Sequence, residues 1–205
     1  MTRATPEAGD VTRSAPARLS RTGWLDLALA RLCADGPEAL RLDAICAAAG
    51  KTKGSFYHHF ADHDAFVLAV TERWIAVQTD APTSRFAFNE MTEQDITELT
   101  RTILALDMSL EAGIRHLAET HDGVDRLLRE TDTRRMDLMA GLYMRRFDLS
   151  EPLARDLSRI DYAAFVGLPV ISPDLSAQER GRLYDVFDEM VKARFGPSRL
   201  ETRDD

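Results

Sequence analysis

Cysteine is nearly missing from this chain. Only Cys33 and Cys46 occur in 205 residues, and neither belongs to a CxxC pair. That excludes a disulfide framework and points to a reducing compartment, so the cytoplasm is the expected location. Long apolar runs are missing as well; none approaches the roughly 20 residues of a membrane-spanning helix. The opening "MTRATPEAGDVTRSAPA" has no apolar core of the kind a signal peptide needs and reads as a flexible tail over residues 1–17. Strand signals are scarce, with no sustained two-residue alternation and few clusters of β-branched residues. There is no P-loop, no GxSxG, no HExxH and no cysteine with a motif-supported base, so an enzyme is not expected. His116 and His121 stand too far apart for one helical face, a weak basis for a metal site. No cofactor is implied. Positive charge is also short: 26 Lys and Arg face 34 Asp and Glu, a net charge of -8.

What is present is ordinary globular material, 44% hydrophobic and 29% charged, enough for one or two small domains with a buried core. The charge is uneven. Residues 1–60 carry 8 basic against 6 acidic side chains, whereas residues 61–205 carry 18 against 28. A mildly basic head on an acidic body still attracts phosphate, because salt screens Coulomb forces beyond about 10 Å.

Apolar residues recur at helical spacing. Leu25, Ala28, Leu29 and Leu32 define a first helix with Ser20 as N-cap and "DGP" as its stop. The pattern then predicts helices from about Leu42 to Ala49, Lys53 to His59, and Asp62 to Gln78, with a loop over 79–94 separating head from body. Further helices are expected near 93–106, 109–119, 122–147, 152–167 and 177–195. The fold class is therefore all-α, with roughly nine helices: a helix-turn-helix unit over 18–62, a helical body over 63–196 and a C-terminal tail over 197–205.

The segment "AAAGKTKGSFYHHF" is dense in hydrogen-bonding tips. Cys46 is small enough for two helices to cross, Gly50 permits positive φ, and Phe56 and Phe60 recur at i, i+4. These are the packing needs of a helix-turn-helix. With the phenylalanines inward, Lys53, Ser55, Tyr57 and His58 keep their tips free, His59 lies at the helix end, and Thr52 is the expected N-cap. Such groups donate to phosphate oxygens, and lysine also reaches guanine O6 and N7. Double-stranded DNA is the implied partner.

"LARLCADGPEALRLDAICAAAGKTKGSFYHHFADHDAFVLAV", residues 29–70, resembles the DNA-binding domain of the TetR family of transcriptional regulators. The matching features are Gly36, the pair Ile45 and Cys46, Gly50, and "SFYHHF". The resemblance implies that Lys53, Ser55 and Tyr57 approach bases and backbone in the major groove, while Thr52, His58 and His59 hold phosphates. Three positions depart from the family's pattern. Lys51 replaces a commonly apolar turn residue, Leu42 stands where a phosphate-binding threonine is common, so that contact is lost or moved to Arg41, and His63 stands where a lysine is frequent.

The resemblance also implies a repressor that binds a palindromic operator as a homodimer and is released by an unknown small molecule in the body. Leu153, Leu157, Ile160, Ala164 and Leu168, and then Leu183, Phe187, Met190 and Val191, form two stripes for a four-helix dimer interface. Met136, Met139 and Tyr143 recur on one long helix as candidate pocket residues, joined by Trp74, Met108, His116, Tyr162 and Phe165. Two other readings stay open: redox sensing through Cys33 or Cys46, and an all-helical binding module without specific DNA recognition.

Overall fold

Ser20 begins the first helix as the spacing predicts, its hydroxyl accepting from the Gly23 amide at 3.0 Å, and α1 runs Arg21–Asp35. The structure, a computed structural model, describes residues 19–200; the expected tail over 1–17 lies outside them. Gly36 at φ 76° stops α1, and one 3-10 turn, Pro37–Leu40, leads to α2, Leu42–Ala49. Gly50 adopts the left-handed conformation at φ 61° and returns its amide to the carbonyls of Cys46 and Ala47. Thr52 then caps α3, Lys53–Tyr57, accepting from the Ser55 amide at 3.3 Å.

α3 stops two residues before the expected His59. Its last carbonyl bonds come from the His59 and Phe60 amides, both to Phe56, a tight turn that puts Phe60 into the core at 3% exposure. Asp62 caps α4, His63–Ile75, through the Ala65 amide at 2.7 Å.

The expected loop from 79 begins late. α4 passes into a π-helical turn, Ala76–Asp80, and a last turn, Ala81–Thr83. The wide turn lets Trp74 donate its indole N–H to Gln78 at 3.2 Å, and the Thr83 hydroxyl bonds the Thr79 carbonyl at 2.7 Å. Pro82 lies just after the π turn, as the second residue of this last turn. The body then comprises α5 (Glu93–Leu104), α6 (Met108–Ala118), α7 (Asp122–Phe147), α8 (Glu151–Ile171) and α9 (Ala177–Phe195). Capping boxes at Thr92/Asp95 and Ser176/Glu179 set the starts of α5 and α9. α8 overruns its expected end at 167 by four residues, passing through Pro169; the Ser172 amide closes the final turn on Leu168 at 2.8 Å. No strand occurs among the described residues, and the all-α class stands.

The main core is shared by head and body. Trp24, Leu32, Ile45, Phe56, Phe66 and Val70 join Ile114, Leu117, Val124 and Leu128 of α6 and α7 in one buried cluster. Gly113 makes this possible: a Cβ there would stand 2.8 Å from the Leu32 side chain, so α6 crosses α1 only because the position is bare. A second cluster, around Tyr143, Phe147, Ala154 and Val191, holds the far end of α7 to α8 and α9. Residues 197–200, expected to begin a tail, dock instead: the Arg199 amide bonds the Arg146 carbonyl at 2.7 Å and Leu200 packs beside Met91 and Leu99.

Candidate nucleic-acid interface and ligand cavity

α3 is held from behind by aromatic rings. Phe56, fully buried, meets Trp24 edge-on at 5.6 Å and Phe66 at 5.0 Å, and lies 5.1 Å from Phe60. Edge-on ring pairs of this kind add about 0.5–1.5 kcal/mol each beyond their area. The opposite face carries the polar tips. Tyr57 is 49% exposed, Lys53 and His58 are exposed, and Ser55 and His59 are half-buried. Lys53 Nζ lies 2.6 Å from Asp43 Oδ1 on α2, and that pairing holds the ammonium more firmly protonated. Both partners are in water, so the pair is worth little and exchanges readily for a phosphate or a base edge.

The remaining head candidates divide. Arg41 pairs with Glu38 at 2.8 Å on the surface at the start of α2. Lys51 is half-buried in the turn. Thr52 uses its oxygen as a cap acceptor and keeps its O–H as a donor. His63 is drawn inward: its Nε2 lies 2.9 Å from the Leu40 carbonyl, so one ring nitrogen is already committed within the head. A phosphate contact from His63 has only Nδ1 to use.

The body encloses a cavity of about 230 Å³ between the extension of α4 and helices α5, α7, α8 and α9. Its walls are mainly Leu, Ile and Phe, with Arg135, Arg146, Asp161 and three tyrosines at intervals. Of the expected pocket residues, Met139, Tyr143, Tyr162 and Phe165 line it. The other four expected pocket residues stand outside its wall. Trp74 is fully buried beneath the Arg135 guanidinium, 5.0 Å away. His116 is exposed beside Glu119 at 3.6 Å, and Met108 and Met136 are half-buried elsewhere.

The charged wall residues were missed in the sequence because "RETDTRRMD" looks like a solvated helix face. In the fold, Arg135 reaches Glu111 at 3.1 Å, Tyr162 at 3.0 Å and Thr79 at 2.6 Å. Glu111, 3% exposed, also meets Arg115, whose fork grips Asp132 at 2.9 and 3.1 Å. Tyr162 donates to Asp132 at 2.6 Å. This network joins α4, α6, α7 and α8.

Asp161, on the cavity wall, accepts from the Tyr143 hydroxyl at 2.9 Å, and burial pushes its carboxyl up to about 6. A raised folded pKa means the native chain holds a proton that the unfolded chain has lost. Stability from this group is therefore complete below about pH 4 and lost as pH rises through 6. Asp161→Asn keeps the acceptor and removes the charge. Urea unfolding is expected to show the variant gaining on wild type by an amount on the order of 2 kcal/mol at pH 8, with little difference at pH 4. An equal difference at both pH values would show that Asp161 stays ionised in the fold.

The two expected dimer stripes are only partly outward. Ile160 is 57% and Met190 65% exposed, with Leu153 and Leu183 also exposed. Val191 is a correction: at 4% exposure it packs inside the chain with Tyr143, and Leu157 and Phe187 pack against the same cluster. Ala164, Leu168, Leu183 and Phe187 line the cavity. Val170, Ile171 and Val186, at 73%, 76% and 55% exposure, add to the exposed apolar surface. Val170 and Ile171 lie in the four residues by which α8 extends past the expected end at 167.

Neither thiol is set up for oxidation. Cys33 donates to Asp107 at 3.0 Å, and that bond, with burial, pushes its thiol up to about 11. Burial likewise raises Cys46. Both remain protonated at neutral pH, which removes the thiolate that oxidant chemistry needs.

Residues 25–70 match the family model of bacterial regulatory proteins, tetR family. That match covers the head alone, 46 of the 205 residues. The match runs from within α1 through α2 and the aromatic-backed α3 into α4. No curated protein matches the sequence significantly. Solved structures share the fold over most of this chain. A proposed transcriptional regulator of the TetR/AcrR family superposes with TM-score 0.63 at 14% identity, over 83% of this chain and 97% of its own. A proposed transcriptional regulator from Pseudomonas aeruginosa PAO1 gives 0.57 at 17%, over 85% and 93%. Apo AibR gives 0.51 at 18%, over 87% and 99%. Among the described residues no helix is long and apolar enough to cross a membrane.

Proposed function

We propose that the protein is a ligand-responsive repressor that binds a palindromic operator as a homodimer. The observation that carries this reading is α3 itself: Phe56 locks it to Trp24 and Phe66 from behind, while Lys53 and Tyr57 project from the other side. A single short helix reads few base pairs, and two-fold pairing through the apolar outer faces of α8 and α9 doubles the contacts on half-sites about one helical turn apart. Repression is the sign that the family resemblance implies.

The effector is a small, mostly apolar molecule with a polar end, matched to a largely aliphatic cavity whose polar features include Asp161, Arg135 and Tyr162. Its signal has a physical route. Arg135 and Tyr162 line the cavity and bond Glu111 and Asp132; Glu111 lies on α6, which crosses α1 at Gly113 and Leu32; α1 carries Trp24, the ring behind Phe56. A ligand that prefers one arrangement of this chain shifts the heads only by its differential affinity for the two forms.

The test is selection of bound duplexes from a random DNA pool, with wild type and Lys53→Ala at two salt concentrations. Wild type is expected to enrich an inverted repeat. Lys53→Ala is expected to weaken or relax it by about 1–3 kcal/mol per affected base contact, with a shallower salt slope. Failure of wild type to enrich any sequence at low salt would sink the specific-regulator reading.

A further inference from the structure

His121 was considered with His116, but the fold gives it a different neighbour. His63 and Asp64, in the first turn of α4, and His121, the N-cap of α7, each bring one ligand atom within 4.8 Å of the others. No other group of three or more such side chains meets that spacing among the described residues. We propose that these three residues bind a divalent transition-metal ion of the Zn²⁺ type, pinning the head's α4 to the body's α7.

The imidazoles are prepared for this. His63 presents Nε2 to the Leu40 carbonyl at 2.9 Å, and His121 presents Nδ1 to the Leu117 carbonyl at 3.1 Å, with the Thr120 hydroxyl 3.0 Å from the same nitrogen. A carbonyl accepts only an N–H, so each bond fixes the tautomer and leaves the opposite nitrogen with its lone pair. This outer-shell orientation is the kind that metal-binding histidines use. Both rings are half-buried, which limits their rotation, while Asp64 is exposed and free to swing inward.

Two imidazoles and one carboxylate suit Zn²⁺ at about 2.0–2.2 Å, with a fourth position open to water. Donors around a tetrahedral ion stand roughly 3.3 Å apart at such bond lengths, so closure needs side-chain shifts of about 1.5 Å. The backbone is already close: a Cβ on Gly123 in the first turn of α7 would lie 2.7 Å from the Leu68 side chain of α4. The acidic body adds a favourable field for a cation.

The test uses full-length protein without a histidine tag and without DNA, so that its result is independent of operator recognition. Equilibrium dialysis with Zn²⁺, and d–d absorption on Co²⁺ titration, are expected to show one ion per chain. Affinity is expected to fall at least ~10-fold in His63→Ala, in His121→Ala and in Asp64→Asn. His116→Ala and a His58→Ala/His59→Ala pair should bind as wild type does. Asp64→Asn guards against misreading a folding defect, because that side chain is exposed and the change keeps its size. Zn²⁺ should also raise the melting temperature of wild type and not of Asp64→Asn, as binding to the native state requires. No binding at ~100 μM Zn²⁺, or binding that all three variants retain, overturns the proposal.

Discussion

A chain carrying Ile160→Glu together with Val186→Glu is expected to be monomeric and to lose operator affinity by about 10²–10⁴-fold. The two side chains are 57% and 55% exposed and sit on α8 and α9. In the isolated chain they cost nothing to charge, so helix content and melting behaviour should hold. Within an apolar interface, each glutamate and its symmetry mate would be taken out of water without a cation. Such desolvation costs several kcal/mol per ion, more than an interface of this type recovers. The loss in affinity follows from linkage: once one head is on its half-site, the second binds at an effective concentration that a monomer lacks. Sedimentation equilibrium and a binding titration on the selected duplex measure both parts. A variant that stays dimeric, or a monomer with undiminished affinity, would remove α8 and α9 as the pairing surface.

Arg146→Met is expected to destabilise the fold by about 3–5 kcal/mol at neutral pH. The Arg146 side chain is 5% exposed, bonding Glu93 with Nε and Nη2 at 2.9 and 3.0 Å and Asp188 with Nη1 at 2.8 Å. It thereby ties α5, α7 and α9 together beneath the cavity. Burial pushes both carboxyls up, but hydrogen bonds outweigh it: from Arg146 and Ser198 at Glu93, and from Lys192 and Arg146 at Asp188. Both folded pKa values end below the ordinary range. Their contribution to stability is present above about pH 4 and lost as pH falls through the folded values.

Without the guanidinium the sign reverses, since two partly buried carboxylates then repel and prefer protonation. The deficit of Arg146→Met should therefore be smaller at pH 4.5 than at pH 7.5 in urea unfolding. Adding Glu93→Gln and Asp188→Asn should recover much of it, because an unpaired charge, rather than lost packing, causes most of the damage. A deficit independent of pH would place the cost in packing.

The head was legible almost residue by residue. Ser20, Thr52 and Asp62 cap the helices they precede, Gly36 and Gly50 take positive φ, and Phe56 and Phe60 face inward. Each of these depends on bonds within four residues or on the requirement that a short helix bury its aromatic side, and local chemistry of that range is written in the chain itself. The same holds for the body helices, whose starts at Thr92 and Ser176 follow from capping boxes. Two boundaries fell later than the spacing predicts: helix continues through Pro82 and through Pro169, the latter two residues before α8 ends, so that its missing N–H removes a single bond of the last turn.

The site in the body was not legible in this way. Met139 and Tyr143 were found by spacing, but Arg135, Asp161 and Glu111 look in the sequence like charges facing water. Only the packing of α6, α7 and α8 brings them together, and whether a charge is solvated or paired depends on what crosses it. Val191 and Ile160 lie on equally periodic stripes, and the fold alone sends one into the core and leaves the other 57% exposed. His63 and His121 are 58 positions apart and reach each other only because α4 and α7 begin side by side. The sequence by itself thus determined the helices, their caps and the inward and outward faces of the recognition helix, because those are set by short-range bonds and helical period. The cavity, its ion network, the exposed apolar residues of α8 and α9 and the approach of His63 to His121 were decided by tertiary structure alone, because they depend on side chains that no local rule relates.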